Sequence, residues 1–212
     1  MYLADSSTVD YVRDSGVHEA GPPPVVDAGP CQHQDALGHP DCADTLVSNA
    51  DFNRDITGWA AQAGAVVRWV DFDSQNAKSS GSIAVKNAQQ GDFDGTVGVD
   101  AAQCIPAIAG RTYNYVTSMY MQKGQPYGQG QLVVFFYDQV SCQGLVDDAY
   151  ALTDVEGTGK WTTGGGALII PAAVQSMSVH LHVEKPFREG ALEVLFDAVR
   201  VTQVAAASNT TP

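Results

Sequence analysis

Leu46-Val47-Ser48-Asn49-Ala50-Asp51-Phe52, closing at Gly58-Trp59, and Leu195-Phe196-Asp197-Ala198-Val199-Arg200-Val201 are the stretches on which the fold turns. Each has the length and apolar content of a short strand, and each carries one acidic residue. Laid side by side, two such strands seal a single β-domain and bring Asp51 and Asp197 to one edge. Hard oxygen ligands on that edge suit a calcium ion, while capping of strand ends is the plainer use of the same two aspartates.

Between these ends the chain breaks into strand-length apolar runs separated by turn residues. The expected strands are 45–51, 65–70, 81–87, 96–104, 111–122, 130–138, 146–152, 176–184 and 191–202, with turns at 87–95, 123–130 and 163–166. No convincing amphipathic helix and no internal repeat interrupts them. With 21 glycines and only 17% charged residues, the chain reads as all-β, an antiparallel β-sandwich of the jelly-roll kind. The domain is expected over 45–203, with an N-terminal tether over 1–44 and a flexible tail over 204–212.

The tether shows no sustained period and ends in Ala20-Gly21-Pro22-Pro23-Pro24-Val25-Val26-Asp27-Ala28-Gly29-Pro30, a composition for an extended, semi-rigid spacer. Cys31, His33, His39 and Cys42 follow it. A small Cys31–Cys42 disulfide loop and a zinc site compete for these residues, and the absence of a repeated C-x-x-C unit favours the loop. Cys104 and Cys142 flank adjacent strand-like runs and form the second expected disulfide. Paired cysteines point to an oxidising compartment, hence to a secreted or cell-surface protein with a signal sequence upstream.

The formal net charge of −13 opposes nucleic-acid binding, which runs on counterion release by cations. No run approaches the roughly 20 apolar residues of a spanning helix, so membrane insertion is not expected. Divalent cations and neutral polymers remain the suitable partners, although solubility alone also accounts for the acidity.

Period-2 alternation divides three strands into faces. Tyr113, Tyr115, Thr117, Met119 and Met121 oppose Asn114, Ser118 and Tyr120. Leu132, Val134 and Phe136 oppose Gln131, Val133, Phe135 and Tyr137. Met177, Val179, Leu181 and Val183 oppose Ser178, His180, His182 and Glu184. The outward set gathers Tyr120, Gln131, Tyr137, His180 and His182, a mixture of rings, amide and imidazoles that suits a sugar. Trp69 is the one tryptophan left uncommitted and joins this candidate binding set.

The order of Leu46 to Phe52 and Gly58-Trp59, Ser80-Gly81-Ser82-Ile83-Ala84-Val85, Gly110-Arg111-Thr112-Tyr113, Leu132 to Asp138, Lys160-Trp161 and Phe196-Asp197-Ala198-Val199 resembles the galactose-binding-domain-like jelly roll. It is most similar to the carbohydrate-binding modules attached to bacterial xylanases and cellulases. The resemblance implies glycan binding on a concave face without catalysis. It also implies a structural calcium ion held by Asp51 and Asp197 with backbone carbonyls near Lys78 to Ser80, and core positions for Trp59 and Trp161.

No G-x-S-x-G or H-E-x-x-H motif is present. His180, His182 and Glu184 share one strand face and form the best candidate for metal chemistry. The pairs Asp71/Asp73, Asp92/Asp94 and Asp147/Asp148 read as solvated loop residues. The expected partner is a polysaccharide or a cell-surface glycan. Two other readings stay open: an adhesive or structural domain that contacts a protein, and a small metal-dependent enzyme using His180 and His182.

Overall fold

A computed structural model describes residues 45–77, 80–92, 94–149 and 159–204. The tether with Cys31 and Cys42, the carbonyls of Lys78 and Ser79, and residues 205–212 lie outside the described residues. Ten strands follow in order: β1 (Ala60–Gln62), β2 (Val66–Val70), β3 (Ser82–Asn87), β4 (Thr96–Pro106), β5 (Thr112–Met121), β6 (Gln129–Tyr137), β7 (Leu145–Ala149), β8 (Trp161–Ile169), β9 (Ser176–Pro186) and β10 (Leu192–Gln203). They form two antiparallel sheets, a first of order β1-β4-β9-β6-β7 and a second of order β2-β3-β10-β5-β8. The β-sandwich expected from the strand pattern is the fold.

Alternation explains why each strand sits where it does. Met177, Val179, Leu181 and Val183 of β9 are fully buried, as are Val194 and Phe196 of β10 at the middle of the opposite sheet. Leu132, Val134 and Phe136 of β6 and Tyr113, Met119 and Met121 of β5 complete the same core. Each such side chain contributes about 1.5–3 kcal/mol on burial. A one-residue slip would turn this whole row outward, so the register is strongly specified.

The closing of the domain differs from expectation in its detail. Residues 45–52 run beside β10 but form turns, because Asn49 and Phe52 adopt positive φ values of 51° and 45°. The Leu46 amide donates to the Val201 carbonyl, and the Val199 amide donates to the Ala50 carbonyl. That second bond is available because the β10–β5 register shifts between Asp197 and Arg200, with Ala198 at φ 51°. The bulge releases the Val199 amide from the ladder for this use. Gln103 fastens the same segment, accepting from the Ser48 amide at 2.7 Å and donating to the Ser48 and Gly58 carbonyls.

Strand β8 was expected as a turn at 163–166, and here Gly164-Gly165-Gly166 continue an unbroken nine-pair ladder with β5. The glycines serve close approach. A Cβ on Gly165 would stand 2.2 Å from the Tyr115 carbonyl oxygen, and one on Gly166 would stand 2.4 Å from the Tyr115 hydroxyl. Likewise Asp147 and Asp148 lie in β7 rather than in a loop, and Asp73 is buried with its Oδ1 accepting from the Gln75 and Ala77 amides.

The expected Cys104–Cys142 disulfide is present. Closing that interval contributes about 4 kcal/mol in the chain-entropy description. Two buried polar side chains tie the ends of strands together. Asn87 donates to the Val97 and Val183 carbonyls across the sandwich, and the fully buried Lys185 donates to the carbonyls of Gln89, Pro186 and Glu189.

Because backbone rather than a flexible side chain opposes the new atom, Gly165→Ala should lower stability by about 1–3 kcal/mol. Urea unfolding followed by tryptophan fluorescence measures this, and an unchanged midpoint would show that β8 shifts without cost.

Candidate functional site

The outward face of the first sheet is set by the registers of β4, β9 and β6. Ser178 lies between Cys104 and Phe135, His180 between Ala102 and Val133, His182 between Asp100 and Gln131, and Glu184 between Gly98 and Gln129. Gln131, Tyr137, His180 and His182 are therefore brought together as the alternation implied. Tyr120 and Trp69 are not. Both belong to the second sheet, because alternation separates inside from outside but does not say to which sheet a strand belongs.

A continuous polar row follows β9. The Tyr137 hydroxyl is 3.1 Å from Ser178 Oγ, which is 2.7 Å from His180 Nε2. His180 Nδ1 is 3.5 Å from Asp100 Oδ1, and the same carboxylate oxygen is 2.7 Å from His182 Nδ1. His182 Nε2 then faces Glu184 Oε2 at 3.8 Å. Gly98 makes this possible, since a Cβ there would stand 2.1 Å from the His182 ring. Phe135 covers His180 edge-on with ring centroids 4.7 Å apart.

The ionisation of the row follows from these contacts. Burial acts to raise the Asp100 carboxyl, but the two imidazoles beside it, His182 hydrogen-bonded at 2.7 Å and His180 close by at 3.5 Å, outweigh it and hold the group at about 2. Burial acts against the His182 imidazolium, yet hydrogen bonds to Asp100 and Glu184 and the two negative charges lift it to about 9. The hydrogen bond from His182 also lowers the Glu184 carboxyl. At neutral pH the exposed end of the row is thus a carboxylate–imidazolium–carboxylate group, able both to accept and to donate hydrogen bonds.

Ser178, His180 and Asp100 stand in the order hydroxyl, imidazole, carboxylate, but Ser178 is 4% exposed and its oxygen also meets the Tyr137 hydroxyl. The arrangement transmits polarity along the face; it does not offer an accessible nucleophile. The nitrogens of both imidazoles are directed at Ser178, Asp100 and Glu184, and no cluster of three metal-ligating side chains occurs among the described residues.

The second sheet holds Tyr120, Trp161 and Trp69, on different faces. Tyr120 packs with Phe72 and Trp161, with centroids 5.0 to 5.5 Å apart. Trp161 is therefore on the outside of the second sheet and not in the core, while Trp59 is buried in the core as the resemblance implied. Trp69 packs against the core and its indole N–H donates to the Phe52 carbonyl at 2.6 Å, so it presents no free ring.

Asp51 and Asp197 lie on the same sealed edge but face different partners. The Asp51 carboxylate pairs with the Arg200 guanidinium. Asp197 Oδ2 accepts from the amide and hydroxyl of Ser74, and Oδ1 accepts from the Ala198 amide. Burial, joined by the charge of Asp73, pushes the Asp197 carboxyl up to about 7 against those hydrogen bonds.

Sequence reading passed over Asp100 and Gly98, and took the buried Asp73 for a solvated loop residue. Asp100 left a signal: it is an acidic residue at an outward position of β4, alternating with Val97, Val99 and Ala101, where a solvated strand face rarely needs a charge opposite histidine. Gly98 and Asp73 act through tertiary proximity and left none.

No protein-family model matches the chain, and no curated protein matches it. Solved structures match it in fold. The enzymatically active domain of bacteriophage CBA120 tailspike protein 4 superposes with a TM-score of 0.58 at 16% identity over 76% of this chain, which spans only 22% of that one. The C-terminal family 22 carbohydrate-binding module of Clostridium thermocellum Xyn10B gives 0.55 at 15% identity, over 80% of this chain and 99% of the module. TmCBM61, solved with β-1,4-galactotriose, gives 0.52 at 15% identity, over 76% and 99%. The chain shares the jelly-roll fold of these carbohydrate-binding modules.

Linkage gives the pH response of the row. Stability from the raised His182 is complete below about 6.5 and is lost as pH rises through about 9; stability from the lowered Asp100 is present above about 3.8 and is lost as pH falls through about 2. His182→Gln should therefore flatten the fall in melting temperature between about pH 7 and 9. Thermal denaturation across that range checks it, and parallel curves for the two proteins would contradict the assignment.

Proposed function

We propose that this chain is a non-catalytic domain, secreted or surface-attached, that binds a neutral polysaccharide on the outward face of the first sheet. The observation that carries the reading is the juxtaposition there of half-buried rings, Phe135 and Tyr137, with the hydrogen-bonding groups of His182, Asp100 and Glu184, while Gln131 is buried beneath them. Sugar C–H faces stack on rings, and vicinal hydroxyls both donate to carboxylates and accept from imidazolium. Two carboxylates on the face and the overall negative charge disfavour acidic glycans. The shared fold with carbohydrate-binding modules supports the same reading.

Calcium serves stability in this proposal, on the opposite sheet from the glycan. Asp197 with Asp73 supplies the hard oxygen pair, whereas the Asp51 carboxylate is committed to Arg200. A divalent cation would offset the repulsion between the buried Asp197 of β10 and the Asp73 carboxylate that acts on it.

A glycan array with the full chain tests the first part, and Tyr137→Ala should weaken binding about tenfold, the equivalent of one lost stack of about 1.4 kcal/mol, with little change in melting temperature. Failure of the intact protein to bind any glycan would remove the reading. For the second part, binding to the native state alone adds about 2.7 kcal/mol at a hundredfold excess over Kd, or about 5–10 °C in melting temperature. Calcium should raise the midpoint measured in chelator by that amount, and Asp197→Asn should abolish the response. Identical midpoints with and without calcium would eliminate the site.

A further inference from the structure

The polar row on β9 has two unlike ends. Strands β4 and β6 are separated by β9, so residues on them stand about 9.6 Å apart, twice the inter-strand spacing. Yet the Cα atoms of Cys104 on β4 and Cys142 in the β6–β7 connection are only 6.0 Å apart. The connection must therefore lean over β9 to reach β4. Its contacts agree: the Cys142 amide donates to Ser176 Oγ at 3.0 Å, Ser176 Oγ donates to the Gln139 carbonyl, and Gln175 Nε2 donates to the Asp138 carbonyl at 2.6 Å.

Exposure changes along the row in the same sense. Ser176 is 0% exposed, Ser178 4% and His180 6%, and their neighbours Ala102 and Val133 are each 4%. Further on, the side chains of His182 and Glu184 are 20% and 30% exposed. The row is closed where the disulfide bridges β9 and opens towards Glu184.

We infer that this face receives the end of a glycan chain rather than its middle. The inference rests on the glycan-binding reading above and adds the mode of recognition. A chain lying along the row cannot continue past the disulfide bridge, so its terminal ring must stop against the Phe135 and Tyr137 rings beside Ser178. A site for internal residues needs both ends of its track open; this one has one.

The experiment is isothermal titration of the full protein with xylohexaose, β-1,4-galactotriose and the corresponding xylan and galactan polymers. The expected result is one protein bound per chain, whatever the chain length, with similar affinity per mole of chain for oligosaccharide and polymer. Borohydride reduction, which opens the reducing-end ring, then identifies which end is held. Stoichiometry that rises with polymer length would overturn the inference and leave the glycan-binding reading intact. Absence of binding to every probe, repeated on a broad glycan array, would overturn both. A Cys104→Ser/Cys142→Ser double variant should acquire binding along the polymer, with more than one protein per chain.

Discussion

The Asp100 carboxylate lies between two imidazoles on a sheet face that is largely removed from water, and much of the first sheet is arranged around that fact. A charge so placed is costly unless it is paired and hydrogen-bonded. His182 supplies the close partner at 2.7 Å and His180 a second at 3.5 Å. Both are delivered by one strand, because β9 has four apolar residues fixed in the core and a period of two. The ring of His182 can lie over β4 only because residue 98 has no side chain. Thus core packing, a glycine and an ion pair converge on one geometry, and the polar row extends from it in both directions, to Tyr137 and to Glu184.

The two sheets divide the work of the domain. The first carries the polar row and the disulfide. The second carries the seal: the bulge of β10 at Ala198, the turns of 45–52 docked on it, the Asp51–Arg200 pair, and Asp197 with the loop at Ser74. The two are nonetheless tied together, by Gln103 of β4, which holds the sealing segment at Ser48 and Gly58, and by Asn87 of β3, which donates to the Val97 and Val183 carbonyls.

How legible this was in the sequence depended on whether a residue's role is local. Inside and outside were readable for β5, β6 and β9, because alternation is a property of one strand. Assignment of Tyr120 to the wrong face followed from the same rule's silence on sheet order, which pairing across the chain decides. The Cys104–Cys142 disulfide was readable from its flanking strands. The β8 glycines read as a turn because their purpose, room for the Tyr115 carbonyl and ring, arises only when β5 lies alongside. Residues 45–52 read as a strand from their apolar content; the left-handed backbone at Asn49 and Phe52 is imposed by docking on the bulge. Trp161 read as core by resemblance, whereas its neighbours Phe72 and Tyr120 hold it outside.

Lys185 has a consequence of a different kind. Its ammonium is enclosed at 0% exposure by three backbone carbonyls drawn from the 89–91 turn and the 186–189 turn. An amine so enclosed is chemically silent towards acylating reagents until those turns separate. Lys86, Lys123 and Lys160 have no such enclosure. The rate at which Lys185 becomes labelled, relative to the others, is accordingly a built-in clock for local opening at the Gln89–Glu189 corner, readable by mass spectrometry without any engineered probe.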